Sequence, residues 1–239
     1  MFYITGDTHG NFKHIDTFCR CNNTSLDDYI IILGDSGINY HLDFNAKGIK
    51  KYLSKLPINF IVIHGNHEER ASYIPTYKRH CVDDKKNRIY GSFLIEDNYP
   101  NIMFTETYGY YVLNNNSCYV IGGAYSVDKY FRLEHGYNWY SSEQLSQIER
   151  YEVFHELRNH EDNYGIIDYI LSHTCPKKYI PTEWFLPNID QSTVDDSMEE
   201  FLDVVDDYIP YKKWYCGHYH GEKDIGNIEF LYNSIKELE

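Results

Sequence analysis

The stretch FYITGDTHGN (residues 2–11) decides how the chain is read. A short β-rich run, residues 2–5, passes straight into a glycine-flanked turn from Gly6 to Asn11. A turn calls for the glycines but not for Asp7 and His9 two positions apart. In extended backbone, residues i and i+2 point the same way, so this pair can face one ligand together. The pattern recurs. YIIIL (29–33) ends in Gly34-Asp35, and INFIVI (58–63) ends in His64-Gly65-Asn66-His67-Glu68. IIDYIL (166–171) runs into Ser172-His173, and KWYC (213–216) into Gly217-His218-Tyr219-His220. In sheets of this kind ligands gather outside the carboxyl ends of the strands, so five loops are expected to converge on one spot.

Between these strands the spacing predicts helices. Phe12, Ile15 and Cys19 fall on one face of residues 11–20, with Asn11 as N-cap. Residues 44–56 read as a helix stopped by Pro57. Residues 141–160 read as another, capped by Ser141 or Ser142, and residues 194–209 as a third, with Val194, Met198, Phe201, Leu202 and Val205 inward and its acids solvated. Residues 101–126 read as strands with an Asn-rich hairpin turn at 114–116, and residues 228–233 as a last strand. Apolar strands alternating with helices give an α/β class with both sheet faces covered.

The chain has 239 residues, 42% of them hydrophobic, enough for one sizeable core, and no linker or repeat divides it; one domain over residues 1–239 is expected. The net charge of −14 opposes non-specific attraction to nucleic acid. No apolar run reaches membrane-spanning length, and with a first strand expected from Phe2 no basic, apolar leader is expected ahead of it. The expectation is a cytoplasmic protein with its six cysteines reduced and no membrane partner.

The convergent groups are carboxylate, imidazole and amide, without thiolate, a set that suits Mn²⁺, Fe or Zn²⁺. Their number exceeds what one ion needs, which points to two. Two neighbouring ions clamp the attacking and leaving oxygens of an in-line displacement at phosphorus.

In their order, D-x-H, G-D, G-N-H-E, H and G-H-x-H, these motifs resemble the calcineurin-like metallophosphoesterase superfamily, in a compact single-domain bacterial or phage-type branch; they run from residue 7 to residue 220. The resemblance implies a four-layer α/β sandwich of two facing mixed sheets flanked by helices. It implies Asp7, His9 and His220 on one metal, Asn66, His173 and His218 on the other, and Asp35 bridging both, with Mn²⁺ preferred over Fe or Zn²⁺. A metal-bridging hydroxide would attack phosphorus while His67 assists the leaving group. Only two of these seven ligands are anionic, so two divalent ions leave a net positive pocket inside an acidic protein.

The sequence departs from the protein-phosphatase branch. GDSGINY (34–40) has Ile38 and Asn39 where that branch carries an Asp and an Arg. The expected reaction is hydrolysis of a phosphodiester with a small or nucleotide-like leaving group. The alternatives are a phosphomonoesterase, including the Ser/Thr protein-phosphatase type, and a non-catalytic scaffold, which intact ligands disfavour. Arg132, in the SVDKYFR stretch after Gly122-Gly123, is the candidate for binding phosphate; Arg70 is a weaker one that could instead pair with an acid on a following helix. His64 is left undecided, and His14, His41, His80, His135, His155 and His160 read as polar loop residues. Trp139-Tyr140 and Trp184-Phe185, in irregular stretches, are candidate substrate walls.

Overall fold

The structure, a computed structural model, describes residues 1–185 and 191–239. Its strands are β1 (Phe2–Thr5), β2 (Tyr29–Ile32), β3 (Asn59–Val62), β4 (Lys78–Asp84), β5 (Ile89–Ile95), β6 (Ile102–Thr105), β7 (Tyr108–Leu113), β8 (Asn116–Ile121), β9 (Ile167–Ser172), β10 (Tyr211–Cys216), β11 (Lys223–Ile225), β12 (Ile228–Phe230) and β13 (Lys236–Glu237). The helices are α1 (Lys13–Asn22), α2 (Phe44–Leu53), α3 (Lys129–His135), α4 (Gln147–Tyr164) and α5 (Ser197–Tyr208).

The mixed α/β class is as expected. The strands join into one hydrogen-bonded sheet in the order β11-β12-β10-β9-β8-β7-β5-β6-β3-β2-β1-β13, with β4 on β5. The two facing sheets anticipated from sequence are therefore two wings of one continuous sheet. One wing is the parallel set β1, β2, β3 and β6; the other is the parallel set β8, β9, β10 and β12; the antiparallel strands β5 and β7 connect them. The sheet curls so that both wings share an apolar core, which includes Ile4, Ile31 and Ile61 from one and Cys118, Val120 and Leu171 from the other. Helices α1 and α2 bury Ile15, Cys19 and Leu53 against the outside of the first wing. Helices α4 and α5 bury Val153, Leu157, Met198 and Leu202 against the outside of the second. Each such fully buried aliphatic side chain contributes roughly 1.5–3 kcal/mol.

Register levels the strand ends. Thr5, Ile32 and Val62 pair across β1, β2 and β3, and Ile121, Ser172 and Cys216 across β8, β9 and β10. The loops that follow therefore leave each wing at a common height.

Several local expectations are corrected. α1 starts at Lys13, two residues later than expected, and Asn11 still serves its first turn, its Oδ1 accepting from the Lys13 amide at 3.4 Å. α2 ends at Leu53, ahead of Pro57, and is capped by Asp43, whose side chain accepts from the Asn45 amide at 2.8 Å. α4 starts at Gln147: Ser146 and Glu149 form a reciprocal capping box there, so neither Ser141 nor Ser142 caps it, and Ser142 gives its hydroxyl to Glu69 at 2.7 Å. Asn114 and Asn115 both have positive φ, as the tight β7–β8 turn requires. In α5 the acids are not uniformly solvated, since Glu199 is buried. All six cysteines are free. Among the described residues no helix is long and apolar enough to cross a membrane.

Replacing a Ser N-cap by Ala typically costs about 1 kcal/mol. Ser146→Ala is expected to lower stability to urea by that amount, read as a shift in midpoint with unchanged slope. An unchanged midpoint would show that tertiary packing alone fixes the start of α4.

Candidate metal centre

The levelled strand ends deliver their polar clusters to one place. Asp7 and His9 follow β1, Asp35 follows β2, Asn66 and His67 follow β3, His173 follows β9, and His218 and His220 follow β10. Two groups of ligand atoms close to within 4.8 Å of one another: Asp7 with His9 and His220, and Asp7 with Asp35 and His173.

In the first group, the Nε2 atoms of His9 and His220 lie 2.8 Å apart. They stand 3.6 and 3.3 Å from Asp7 Oδ2. That oxygen is buried and accepts no hydrogen bond among the described residues, while Oδ1 accepts from the His218 amide at 2.8 Å. A buried carboxylate oxygen facing two imidazole nitrogens is a donor set waiting for a cation. In the second group, His173 Nε2 is 2.8 Å from Asn66 Oδ1 and 3.7 Å from Asp35 Oδ2, and its Nδ1 donates to the Leu33 carbonyl at 2.7 Å. That carbonyl bond fixes the ring and leaves Nε2 as the free nitrogen, the usual outer-shell device of metal-binding histidines. Asn66 in turn donates its amide to Ser126 Oγ at 2.9 Å, which turns its oxygen inward. His218 packs its ring 5.0 Å from that of His173 and lines the same cleft, but belongs to neither close group. The donor chemistry of both groups fits divalent metal.

The backbone is bent to achieve this. His9, Asp35, His218 and His220 have φ of 45°, 43°, 68° and 50°, left-handed values that cost a side chain about 1 kcal/mol or more and cluster at functional sites. Neighbouring glycines allow the close approach. A Cβ on Gly65 would sit 2.1 Å from Asp35 Oδ1, and one on Gly217 would sit 2.3 Å from Asp7 Oδ1.

Electrostatics follow from burial and proximity. Burial alone would raise the Asp7 pKa, but contacts from His220 and His9 and the nearby His173 hold it well below the usual carboxylate range. Burial would lower His9, but Asp7 and Asp35 hold it above its ordinary value. His67 is pushed down by burial, against the opposing pull of Asp35, and Arg132 adds to the lowering. Burial, with His173 nearby, pushes His218 well down.

His67 stands beside the ligands without joining either group. Its amide donates to Asp35 Oδ1 at 2.8 Å, its Nε2 is 3.8 Å from Asp35 Oδ2, and its Nδ1 is buried without a partner among the described residues. Ile38 is buried in the core and Asn39 accepts from Tyr77 OH at 2.9 Å, so neither orients His67. Arg132 lies on α3 with His9 and His67 around one hollow of about 470 Å³, joined there by Tyr40 and His41. Its guanidinium is held by Asp128 at 2.8 Å and Tyr40 OH at 3.3 Å. Arg70 is buried and committed elsewhere: to Glu149 on α4 and to the carbonyls of Ser142 and Gln144 at 2.9 and 2.7 Å. His64 is also structural. Burial and the Arg70 charge push its pKa down to about 3, and its Nε2 meets the Ser142 carbonyl at 3.3 Å. Trp139 gives its indole N–H to Glu143 at 2.8 Å, whereas Trp184 and Phe185 line a cleft beside the metal ligands.

Glu68 is a residue that sequence reasoning does not single out. Fully buried, it accepts from the Ser36 amide at 3.1 Å, the Ser36 hydroxyl at 2.8 Å and the Asn39 amide at 3.3 Å. It thus ties the loop carrying Asp35 to the loop carrying Asn66 and His67. Its only signal in the sequence is its place in the G-N-H-E motif. His41, which reads as a plain loop residue, lies within the hollow beside Arg132.

Gly217→Ala places a methyl against the Asp7 carboxylate, so calorimetric titration with Mn²⁺ is expected to show at least a tenfold loss of affinity while the far-ultraviolet spectrum is kept; undiminished binding would show that the loop yields. His64 is neutral in the fold and has an ordinary value of 6.5, so the unfolded chain takes up its proton first as pH falls. Its contribution is complete above pH 6.5 and is lost progressively toward pH 3, at up to about 1.4 kcal/mol per unit. Urea stability of His64→Gln is therefore expected to fall less steeply between pH 6.5 and about pH 4.5 than that of the parent, and parallel profiles would contradict it.

Comparison with known proteins places the chain. No curated protein matches the sequence. Among solved structures, the Thermus thermophilus protein TT1561 is 11% identical, with 97% of this chain and 87% of that one covered and a TM-score of 0.47. The phosphopantetheinyl hydrolase PptH of Mycobacterium tuberculosis is 11% identical, covering 97% and 87%, with a TM-score of 0.42. A protein of unknown function from Aquifex aeolicus, AQ665, is 14% identical, covering 73% and 80%, with a TM-score of 0.34. Likeness of this degree carries no argument about substrate. The family model for calcineurin-like phosphoesterases, by contrast, matches residues 1–222, which takes in every strand-end cluster from Asp7 to His220, and the chain belongs to that family.

Proposed function

We propose that this protein is a dinuclear metal-dependent phosphoesterase that hydrolyses a phosphodiester. The observation that carries the reading is the convergence of Asp7, His9 and His220 on one side, and Asp7, Asp35 and His173 on the other, at the ends of strands from both wings of the sheet. Asp7, His9 and His220 would hold one ion, Asn66, His173 and His218 the other, and Asp35 would serve both. Mn²⁺ is the preferred metal, with Fe or Zn²⁺ as alternatives. When bound, two such ions supply an acidified water and Lewis acidity at phosphorus.

The chain's own residues do the rest. His67 stands next to the ligands, lines the cleft they share and acts on the leaving oxygen as a hydrogen-bond or proton donor. Arg132, which shares a hollow with His9 and His67, steers phosphoryl oxygens with a guanidinium already held in place by Asp128 and Tyr40. Diester preference rests on the absence of the protein-phosphatase residues, since Ile38 is core and Asn39 belongs to a loop bond. One observation favours a monoester instead: Arg132 shares a hollow with His9 and His67, and a guanidinium there would suit a dianionic phosphate. The substrate is a small phosphate ester or a nucleotide-like molecule; no strong non-specific nucleic-acid binding and no membrane partner are proposed, and the protein is placed in the cytoplasm.

The test pairs an aryl phosphodiester with an aryl phosphomonoester in Mn²⁺, with metal content measured on the same samples. Asp35→Asn is expected to lose both metal and turnover. His67→Ala should keep its metal and lose roughly 10²–10⁴ in rate. Metal loss from His67→Ala would remove it from the proton-donor role, and a metal-loaded parent inert to both esters would refute the hydrolase.

A further inference from the structure

Among the acids of α5, Glu199 alone is buried, and it belongs to neither group of the metal centre. A carboxyl taken out of water is costly unless its hydrogen bonds are made. Glu199 makes one with Thr174, whose Oγ1 donates to it at 2.8 Å. The Thr174 hydroxyl proton is thereby committed, so the Tyr219 hydroxyl, 3.2 Å from the same oxygen, is the donor to Thr174. The chain runs from Tyr219 to Thr174 to Glu199, and each bond polarises the next.

The first two members of this chain stand beside candidate ligands. Thr174 directly follows His173, and Tyr219 directly follows His218. The Tyr219 ring lies edge-on to the His218 ring, with centroids 4.9 Å apart. The Gly217 amide donates to the His173 carbonyl at 2.9 Å and ties the two loops together. The other flank of His173 is held as well. Trp214 Nε1 donates to Ser172 Oγ at 2.6 Å, and Ser172 Oγ donates to the Thr174 carbonyl at 2.5 Å. Ser172, His173, Thr174 and Trp214 are fully buried, so water does not compete for these bonds. The opposite group is held differently. His9 and His220 are exposed, and His220 packs on Tyr232 with ring centroids 5.1 Å apart.

We propose that Glu199 is a positioning residue for the metal centre: through Thr174 and Tyr219 it aims His173 and His218, and it sets the affinity of the ion they share without touching that ion. That His173 and His218 share an ion rests on the dinuclear reading above. Glu199 also lines the cleft beside the ligands. A role confined to contacting a molecule in that cleft would leave metal binding by the protein alone unchanged, so the test uses metal and no ester.

Calorimetric titration of the metal-free protein with Mn²⁺ is expected to show two binding events. His9→Ala should remove one and His173→Ala the other, which assigns them. Glu199→Ala and Thr174→Val should weaken the His173-dependent event at least about tenfold, the range found for outer-shell partners of metal-binding histidines, and the His9-dependent event by less than about threefold. Glu199→Gln keeps an oxygen for the Thr174 hydroxyl and should stay within about threefold of the parent at both events. Equal weakening of both events, or no recovery in Glu199→Gln, makes Glu199 a general prop of the fold and overturns the proposal. Unaltered binding in Thr174→Val overturns it too, and that variant, which keeps the side-chain shape, carries the test if Glu199→Ala does not fold. A parent that takes up metal in a single event removes the dinuclear reading instead. The positioning role then stands if Glu199→Ala weakens that event tenfold and Glu199→Gln restores it, and falls if the two variants bind alike.

Discussion

Two carboxylates, Asp7 and Asp35, each 1% exposed, lie close together at the strand ends. Like charges that close in a low-dielectric interior are sustained only by positive charge between or around them. The His9 imidazole, held above its ordinary value by Asp7 and Asp35, can supply part of it, and the donor set suits divalent ions for the remainder. Much of the surrounding structure serves to keep this pair in place. The His218 amide bonds one carboxylate and the His67 amide the other, so each acid is gripped by the backbone of a different strand-end loop.

Those loops are in turn locked to one another. The amides of His9 and Gly10 donate to the carbonyls of Asp35 and Ser36 at 2.8 and 2.9 Å, and Gly123 donates to the His64 carbonyl at 2.9 Å. Glu68 clasps the Ser36 turn. Left-handed backbone at four candidate ligands stores strain that these bonds hold. The strain and the clasp are two sides of one arrangement: the loops are bent to aim side chains, and the backbone network keeps them bent.

Much of this is legible in the sequence because apolar strands and polar strand-ends alternate so regularly. Asp7, His9, Asp35, His173 and His220 follow directly from that pattern, and the β7–β8 hairpin from its asparagines. What stays hidden depends on contacts between distant segments. The β4–β5 hairpin lies in residues 78–95, where charged and exposed positions on β4 blur the alternation. Helix α3 leaves no residue buried, so it has no apolar stripe to detect. The start of α4 is ambiguous because Ser141, Ser142 and Ser146 are all suitable caps by type, and only the reciprocal partner Glu149 selects among them. Glu199 reads as one acid among many on α5 until burial separates it from its neighbours. The two wings are legible, but not their continuity, because the antiparallel junction through β5 and β7 leaves no local mark.

The pairing of His9 with His220 joins residues 211 apart in the chain. An ion held between them is a clip closing one of the longest loops the polypeptide can form, and the entropy of closing such a loop opposes folding before any contact offsets it. Metal affinity and tertiary assembly are then one quantity seen from two sides. The second wing must dock before the ion has its full set of ligands, and once bound the ion resists separation of the wings by mass action.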